Sequence, residues 1–381
     1  MFIKRFIAIF LVLLMFLSMC TLCTSALTEE EITSPSAVLI EPTTLKILYE
    51  KNPHERRACA SITKVMTLLL VMEAIEEGKI AYDDVVTTSQ HAKSMGGSDI
   101  WLEVGEQMTV DEMIKATAVA SANDAAVALA EHLCGSESDF VALMNTRAKE
   151  LGMENTVFKN CNGLDEEGHL TTAFDVALMS AELIKHEKIF EYTTIWIDTL
   201  RDGETQIVNT NKLLKSYDGI TGLKTGTTGD AGSCISATAQ RNSMSLVGVV
   251  LGATTGTERF KDAAALLDFG FANYEILKFD AKKSELKEIE VKNGMQKSVN
   301  VECKGITNMV VAKGSKERVE QSVKLKESID APVEKGQKVG TLTYTLDDEK
   351  VSVFDVVTSK EVEKMTFKAV FFELMNALVA M

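Results

Sequence analysis

The segment Ser61-Ile62-Thr63-Lys64, with the apolar run of residues 65–75 directly behind it, constrains the fold more than any other part of the chain. The apolar residues of this run keep helical spacing and widen into a stripe that covers most of the circumference, which indicates a buried helix. This stripe consists of Val65, Met66, Leu68, Leu69, Leu70, Val71, Met72 and Ile75. Ser61 is therefore expected at the mouth of a core helix.

Ser61 and Lys64 are spaced so that their side chains share one face of that helix, because residues three apart are neighbours on a helical surface. A hydroxyl beside an amine is a nucleophile beside a candidate base. The simpler interpretation is that Ser61 caps the helix and that Lys64 is solvated. A second Ser-x-x-Lys, from Ser284 to Lys287, lies in a charged stretch, so the motif alone does not decide between the two.

Length and composition describe an ordinary globular protein with room for two domains: 381 residues, of which 46% are apolar and 25% charged. The formal net charge of -15 argues against nucleic acid as a partner. The five histidines have no metal-ligand spacing, and the cysteines after residue 26 form no closely spaced pairs. We therefore expect no metal, no cofactor and no disulfide framework.

Residues 1–26 have the three parts of a secretory signal peptide. Lys4 and Arg5 precede the apolar stretch 6–19, and the small residues Thr24-Ser25-Ala26 precede a cleavage point. The mature chain is therefore expected to be exported. An uncleaved membrane anchor is the competing interpretation, because the apolar stretch is long for a signal peptide.

The predicted elements follow one another in the order that is typical of an α+β layered domain. Two short strands in residues 37–48 precede a helical block in 109–185, and strands in 220–252 precede a helix at 263–271. Within the helical block, helix starts are predicted by the capping box of Thr109 and Glu112, by Ser136 or Ser138, and by Thr172 with Asp175. We expect this first domain to span residues 27–277, with a sheet that joins its N-terminal and C-terminal strands.

Short alternating segments in residues 278–360 predict a small all-β domain, and residues 361–381 predict an amphipathic helix. One stripe of this helix carries Phe367, Val370, Phe371, Leu374, Met375 and Leu378. The apolar face is larger than docking needs, which favours peripheral attachment to a membrane surface. Docking of the helix on the β domain is the alternative.

Three short motifs stand in chain order: Ser61-x-x-Lys64, Ser121-x-Asn123 and Lys224-Thr225-Gly226. Each is weak alone; Ser-x-Asn occurs again at Ser298, whereas Lys-Thr-Gly occurs once. Their context is more specific, because the first opens a buried helix, the second interrupts a helix and the third lies on a predicted strand. Together they are typical of penicillin-binding proteins and serine β-lactamases.

The chain resembles a low-molecular-mass penicillin-binding protein of the D-alanyl-D-alanine carboxypeptidase type over nearly its whole length after the signal. Further segments carry the resemblance: Gly96-Gly97-Ser98, Trp101-Leu102-Glu103-Val104-Gly105, Asn123 to Ala130, Asn155-Thr156, Asn160, Gly163-Leu164-Asp165, Asn209, Asn211 and Leu213-Leu214. The resemblance implies a β-lactamase/DD-peptidase-like catalytic domain. It also implies removal of the terminal D-alanine from peptidoglycan stem peptides through a Ser61 acyl-enzyme, and inhibition by β-lactams.

Two positions depart from the pattern of that family. Cys59 stands where proline is usual before the nucleophile, and Thr227 stands where an aromatic residue or histidine is common after Lys-Thr-Gly. Neither position carries a reacting side chain. The departures therefore concern the fit of the substrate rather than the class of reaction.

The resemblance also implies roles for individual residues. The expected catalytic residues are Ser61, Lys64, Ser121, Asn123 and Lys224. The expected substrate-binding residues are Lys224, Thr225, Gly226, Thr227 and Arg259. Their cationic and hydroxyl groups would bind the free carboxylate of the substrate, and the backbone N–H groups of Ser61 and Thr227 would form the oxyanion hole. Arg259 equally fits a solvated position on a helix.

Lysine acts as a base only when its ammonium form is disfavoured. Crowding Lys64 beside Lys224, away from water, is therefore expected to lower the pKa of Lys64. Ser121 would pass a proton to the departing D-alanine amine. Asn123 would contact the substrate backbone and help to hold Lys64.

Two other functions share these motifs. A serine β-lactamase needs a water-activating base, which is a glutamate in class A enzymes, and no Glu-x-x-Leu-Asn occurs between Ser121 and Lys224. A non-catalytic penicillin-binding sensor would keep the fold without turnover, and the complete motifs argue against it. A histidine triad is disfavoured because Gly-x-Ser-x-Gly is absent. We expect a wall enzyme held at the outer face of the cytoplasmic membrane by its C-terminal helix.

Overall fold

The computed structural model describes residue 27 and residues 31–278, 286–305 and 308–379. The chain forms two compact units, Met1–Asn273 and Tyr274–Met381. The predicted signal peptide and the second Ser-x-x-Lys serine, Ser284, lie outside the described residues.

A five-stranded antiparallel sheet forms the centre of the first unit. The strands of this unit are β1 (Ser36–Glu41), β2 (Lys46–Lys51), β3 (Val85–Thr87), β4 (Gln107–Thr109), β5 (Ile197–Leu200), β6 (Thr205–Val208), β7 (Ile220–Thr228), β8 (Gly232–Arg241) and β9 (Met244–Ala253). The sheet has the order β2-β1-β9-β8-β7, while β3 pairs with β4 and β5 with β6. Because β1 pairs with β9, the sheet joins the two ends of the unit, as the sequence predicts.

Helices cover both faces of this sheet. They are α1 (Lys64–Glu76), α2 (Gln90–Lys93), α3 (Val110–Lys115), α4 (Asn123–Cys134), α5 (Glu137–Glu150), α6 (Ala173–Leu183), α7 (Phe190–Thr193) and α8 (Gly256–Asn273). Helix α6 packs on β1 and β9, and α8 packs on β8 and β9. Strand β1 is buried at every position, because its alternate residues face the two helical layers. Val38 and Ile40 join the core around α1, whereas Leu39 lies near Gly270 of α8.

Helix α1 lies inside the larger core and contacts α4 and α6. Every residue from Lys64 to Met72 is buried, which confirms the buried helix predicted from the apolar circumference. Ser61 belongs to a 3-10 turn, Ala60–Thr63, that leads into α1. The Ser-x-x-Lys motif therefore spans the junction of the turn and the α-helix, rather than lying within the α-helix.

Local side-chain hydrogen bonds begin the helices where the sequence predicts. Thr109 and Glu112 form a reciprocal capping box at α3. The side chains of Ser136 and Thr172 accept backbone N–H groups at the starts of α5 and α6. After α3 the chain widens into a π-helical turn, Ala116–Ala120, which ends the helix just before the second motif.

The second unit consists of short strands around an apolar core of its own. Its strands are β10 (Tyr274–Leu277), β11 (Ile289–Lys292), β12 (Ser298–Val299), β13 (Val301–Lys304), β14 (Met309–Ala312), β15 (Val319–Leu325), β16 (Ser328–Asp330), β17 (Lys338–Leu346) and β18 (Glu349–Thr358). They form a sheet β13-β18-β17-β15, a sheet β12-β11-β16 and a pair β10-β14. The predicted small β domain is confirmed.

Two predicted boundaries need correction. The first domain ends at Asn273 and not at residue 277, because residues 274–277 form β10 and pair with β14 of the second unit. The terminal helix α9 (Phe367–Val379) does not begin at residue 361. Val362 is buried and pairs with Val333, so the chain before α9 continues the β structure. Within the part of the chain that is described, no helix is both long and apolar enough to cross a bilayer.

The contact of α8 with the sheet depends on Gly270. A Cβ atom at this position would lie 2.5 Å from Leu246 Cδ1 and 2.9 Å from Leu39 Cδ2, both in buried side chains. Gly270→Val should therefore lower the free energy of unfolding by about 1–3 kcal/mol through overpacking. Urea denaturation measures the change. Ala272→Val, on the exposed side of the same helix, is the control, and an equal effect of the two variants would contradict the close approach.

Candidate active site

Ser61 and Lys64 meet at the start of α1. The Oγ atom of Ser61 lies 3.0 Å from the Nζ atom of Lys64. Ser61 is partly exposed, whereas Lys64 is fully buried. The junction of the 3-10 turn with the α-helix thus presents the hydroxyl to solvent and keeps the amine beneath it.

Two oxygen atoms determine how the amine of Lys64 is oriented. Its Nζ atom donates to Asn123 Oδ1 at 2.5 Å and to the carbonyl oxygen of Asn162 at 2.6 Å. A neutral amine has two N–H bonds and one lone pair. When both N–H bonds point at these acceptors, the lone pair faces the hydroxyl of Ser61. The geometry therefore suits removal of the Ser61 proton by a neutral Lys64.

Burial favours the neutral form of both lysines. It lowers the pKa of Lys64 from 10.5 to about 7, against the opposing charges of groups that include Asp99 and Asp124. The pKa of Lys224 is also held well below its ordinary value, first by burial and then by the positive charges of Lys64 and Arg259. Exclusion of water is thus the main cause for each lysine, and the charge of the other lysine contributes, as a secondary cause, to the shift of Lys224.

Ser121 of the second motif contacts Lys224 of the third motif. It follows the π-helical turn in a left-handed conformation, with φ of 62°, and its side chain is buried. Lys224 Nζ donates to Ser121 Oγ at 2.8 Å and to the carbonyl oxygen of Thr225 at 3.1 Å. A left-handed residue is unusual outside glycine, asparagine and aspartate, and such strain occurs most often at functional sites.

Asn123 and Asp124 hold the neighbouring loop against the site. Asn123 donates from its backbone N–H to the carbonyl of Ser98 and from Nδ2 to the carbonyl of Gly96, both at 2.6 Å. The carboxylate of Asp124 accepts the backbone N–H groups of Ile100 and Leu102. The sequence interpretation gave Asp124 no role, although the Asn123-Asp124 segment was part of the resemblance.

Strand β7 passes directly beside the nucleophile. A Cβ atom at Gly226 would lie 2.8 Å from both the backbone nitrogen of Ser61 and the carbonyl oxygen of Cys59. Only glycine allows this approach, because a side chain at position 226 would collide with these backbone atoms. Thr227, the next residue, is exposed to solvent.

The remaining predicted binding residues lie on or behind β7. Thr225 Oγ1 shares a hydrogen bond of 2.5 Å with Thr210 Oγ1, a residue the sequence interpretation missed. Arg259 is largely buried and donates from Nη1 to the carbonyl of Gly226 at 2.8 Å and to Thr227 Oγ1 at 2.9 Å. The structure therefore brings Arg259 to the site and excludes the solvated helix position.

A loop around Asn162 and Gly163 closes the site from the other side. Asn162 supplies the carbonyl that Lys64 contacts, and the sequence interpretation missed it because a backbone atom is the functional group. Gly163 has φ of +87°, and a Cβ atom there would lie 2.0 Å from the carbonyl oxygen of Ala60. The loop can approach the nucleophile turn only because this residue is glycine.

His169 ties the same loop to the nucleophile turn. Its Nδ1 atom accepts the backbone N–H of Lys159 at 3.3 Å, so Nε2 carries the proton that reaches Thr63 Oγ1 at 2.8 Å. Burial lowers the pKa of His169 to about 4, which keeps the ring neutral. Among the described residues, no group of three or more His, Cys, Asp or Glu side chains is arranged to hold a metal ion.

A serine whose hydroxyl faces a buried lysine at the start of a core helix, with Ser121-x-Asn123 and Lys224-Thr225-Gly226 beside it, is typical of the serine peptidases that penicillins acylate. Family models agree. One described as D-alanyl-D-alanine carboxypeptidase matches residues 23–255, and one described as penicillin-binding protein 5, C-terminal domain, matches residues 274–364.

Curated relatives and solved structures extend the match over most of the chain. D-alanyl-D-alanine carboxypeptidase DacF of Bacillus subtilis is 45% identical over 348 residues, which are 90% of this chain and 89% of that protein. DacC of Escherichia coli is 33% identical over 352 residues, 89% of this chain and 88% of that protein. The chain belongs to the D-alanyl-D-alanine carboxypeptidase family, which confirms the resemblance.

Two crystal structures illustrate the shared fold. Penicillin-binding protein 5 from Haemophilus influenzae matches with a TM-score of 0.77 and 30% identity, over 89% of this chain and 100% of that chain. Penicillin-binding protein D2 from Listeria monocytogenes, in its ampicillin-bound form, matches with a TM-score of 0.58 and 33% identity, over 62% of this chain and 97% of that chain.

Gly163 provides a test of the packing behind the nucleophile. Gly163→Ala forces a Cβ atom against the carbonyl of Ala60 and should displace the turn that carries Ser61. The rate of acylation by a fluorescent penicillin should fall by roughly tenfold to a hundredfold, because small displacements of reacting groups are costly. Gly168→Ala is the matched control, since Gly168 also has a positive φ but an added Cβ would meet only Lys159 Cε, at 3.4 Å. Equal rates in both variants would contradict the role of the close contact.

Proposed function

We propose that this chain removes the terminal D-alanine from peptidoglycan stem peptides, with Ser61 as its nucleophile. The family assignment supports the reaction class, a serine-type D-Ala-D-Ala carboxypeptidase that β-lactams inhibit. One observation supports the choice of residues above the others. Lys64 Nζ lies 3.0 Å from Ser61 Oγ while its two other contacts are hydrogen-bond acceptors.

In the acylation step, Ser61 Oγ attacks the carbonyl carbon between the two D-alanines as its proton moves to Lys64 Nζ. The backbone N–H groups of Ser61 and Thr227 hold the negative oxygen that develops. The close approach of β7 to the nucleophile turn at Gly226 supports this assignment. The tetrahedral intermediate then expels the amine of the last D-alanine and leaves an ester on Ser61.

The departing amine needs a proton. Ser121 Oγ, in contact with Lys224 Nζ, is the group proposed to deliver it. Ser121 then regains a proton from Lys64, which returns the proton taken from Ser61 and becomes neutral again for deacylation. In deacylation, water attacks the ester as Lys64 takes one of its protons, and Ser61 leaves with that proton. Products are the shortened peptide with a free carboxylate and D-alanine.

The free carboxylate at the end of the substrate is the feature that makes the enzyme a carboxypeptidase. Thr225, Lys224 and Arg259 are proposed to recognise it, because the hydroxyl of Thr225, the amine of Lys224 and the guanidinium of Arg259 all contact β7. Arg259 acts mainly through Thr227 in this arrangement, since its Nη1 donates to Thr227 Oγ1. Asn123 offers its amide to the substrate backbone.

The contacts of Lys64 favour a peptidase over a class A β-lactamase. The lactamase needs a carboxylate to activate the deacylating water. Within the described residues, the groups that contact the amine of Lys64 are instead the amide oxygen of Asn123 and the carbonyl of Asn162, together with the hydroxyl of Ser61. Release of D-alanine from a peptide ending in D-Ala-D-Ala separates the carboxypeptidase from both a lactamase and a non-catalytic sensor.

Ser61 is the residue that penicillin and substrate should acylate. Ser61→Ala should abolish both covalent labelling by penicillin and release of D-alanine, whereas Ser284→Ala, the serine of the second Ser-x-x-Lys, should retain both. Mass spectrometry of the labelled protein locates the adduct. An adduct on any other residue would exclude this assignment.

The pH dependence of acylation should report the neutral form of Lys64. Because the pKa of Lys64 is lowered to about 7, the rate should rise with pH and reach half its maximum near pH 7. Lys224→Met removes the amine that contacts Ser121 while keeping the site filled, and should reduce the rate by roughly 10²-fold or more. The midpoint should stay in place, since burial is the first cause of the shift in Lys64. A midpoint more than one pH unit higher in Lys224→Met would show that the charge of Lys224 sets it.

We also propose that the protein is exported and works at the outer face of the cytoplasmic membrane, attached through α9. Five large apolar side chains of this helix are exposed to solvent: Phe367, Val370, Phe371, Phe372 and Met375. Those of Leu374 and Leu378 lie outside the described side chains. Each large apolar side chain gains roughly 1.5–3 kcal/mol on full burial, so partial immersion of several supports reversible attachment.

Removal of α9 should separate attachment from activity. A signal-cleaved chain ending at Thr366 keeps the buried Val362 and should release D-alanine normally, but should no longer sediment with vesicles containing anionic lipid. Phe371→Glu in the intact chain should weaken sedimentation in the same direction, while Lys364→Glu, before the helix, is a charge-change control. Vesicle binding by the truncated chain, or loss of its activity in solution, would show that α9 is a packed structural element.

A further inference from the structure

Trp101 is an exposed aromatic residue in an unfavourable backbone conformation next to the candidate active site. Its side chain is 79% exposed, more than any other large apolar side chain in the described part of the first unit. Its φ is +54°, in the left-handed region. A bulky residue pays roughly 1–2 kcal/mol to occupy that region, which glycine or asparagine would enter more easily.

The two neighbours of Trp101 explain why its ring points away from the protein. The backbone N–H groups of Ile100 and Leu102 both donate to the carboxylate of Asp124, at 3.2 Å and 3.0 Å. Their side chains are buried, each only 2% exposed. The chain therefore bends around Asp124 with Trp101 at the outside of the bend, held on both sides. The ring is exposed on a rigidly held backbone.

The folded state gains little from this tryptophan. The ring leaves most of its surface in water and its backbone is strained, so another residue would serve stability better. Strain that stability does not explain is typical of residues retained for binding. An exposed ring on a fixed backbone also loses little conformational entropy when a ligand stacks on it.

The loop that carries Trp101 is connected to the residues that are proposed to act on the substrate. Asp124, which holds its two neighbours, is adjacent to Asn123, and Asn123 contacts Lys64 beside Ser61. Four extended stem-peptide residues between the scissile bond and the glycan span about 13–14 Å. Lys64, Asn123 and Asp124 link Ser61 to the backbone on either side of Trp101. A stem peptide that is bound at Ser61 and extends towards Trp101 would place there the part of peptidoglycan where the stem joins the sugar.

The chemistry around the ring suits an uncharged ligand. Glu103 is paired with Lys93, and one carboxylate oxygen of Asp99 is buried within the loop. Val104, which follows in the same loop, is a further exposed apolar residue. A flat apolar ring, in a loop with a second exposed apolar residue, matches the C–H face of a sugar ring better than a cation or an anion.

We propose that Trp101 is a stacking platform for a sugar ring of the peptidoglycan glycan strand, so that the enzyme distinguishes glycan-linked stem peptides from free ones. This inference rests on the proposed function for its substrate. It assigns to Trp101 a role in binding and specificity, separate from the acyl-transfer steps at Ser61.

Paired substrates test this proposal. The measured quantity is the ratio of kcat/KM for a disaccharide pentapeptide to kcat/KM for the free pentapeptide. Trp101→Ala and Trp101→Gly should lower this ratio about tenfold through KM, and Trp101→Phe should restore part of it. Val85→Ala, which removes an exposed apolar side chain from β3, is the control and should keep the wild-type ratio. An unchanged ratio in the Trp101 variants, or an equal loss on both substrates, would overturn the proposal.

Two further measurements distinguish a role of Trp101 in ligand binding from a role in folding. Trp101→Gly should keep or raise the melting temperature, because glycine relieves the left-handed strain, and a large decrease would assign Trp101 to folding instead. The chain has two tryptophans, so Trp196→Phe leaves Trp101 as the only tryptophan, whose emission can be excited selectively over that of the tyrosines. Titration with the disaccharide alone should then change the emission, and no change would exclude the platform. If the wild type released no D-alanine from free pentapeptide, the proposed function would be wrong. The fluorescence titration would still decide whether the disaccharide binds at Trp101.

Discussion

Burial of the Lys64 amine is the constraint on which the rest of the site depends. A lysine in water is protonated at neutral pH and has no lone pair to accept a proton from serine. The apolar residues of α1 and the helices around it remove water from Lys64, which lowers its pKa to about 7. The large core therefore has a chemical consequence, because it produces a base from a residue that is ordinarily a cation.

Close backbone approach is the second requirement. Gly226 and Gly163 bring β7 and the 162–163 loop against the turn that carries Ser61, where any Cβ atom would collide with backbone atoms. Lys64 thereby gains the carbonyl of Asn162, and Lys224 reaches Ser121. The residues proposed to react lie on the 3-10 turn and the first residue of α1, directly after the π-helical turn and on β7, so their relative positions are held by the core rather than by flexible loops.

The sequence predicted the architecture well where the signal was local or periodic. The uniformly apolar run behind Ser61 predicted a core helix, and Thr109 with Glu112 predicted the start of α3 by a capping box. Two boundaries that lack such signals differ from the structure. Residues 274–277 were predicted to end the first domain, but they pair with β14 of the second unit. The terminal helix was predicted to begin at residue 361, but Val362 is buried and pairs with Val333. Pairing with a strand distant in the chain leaves no trace in local periodicity.

The sequence by itself determined the reaction class and the main polar side chains, because three motifs in order specify which functional groups an acyl-transfer enzyme of this family needs. Only the tertiary structure decided the pKa values of those groups and the hydrogen bonds between them. Burial rather than the neighbouring lysine sets the pKa of Lys64, and Arg259 turned out to lie behind Thr227 instead of in solvent. The role of the Asn162 carbonyl and the strained backbone of Trp101 could not be predicted from the sequence either, because the type of a residue does not specify where its backbone atoms lie or which dihedral angles it adopts in a loop.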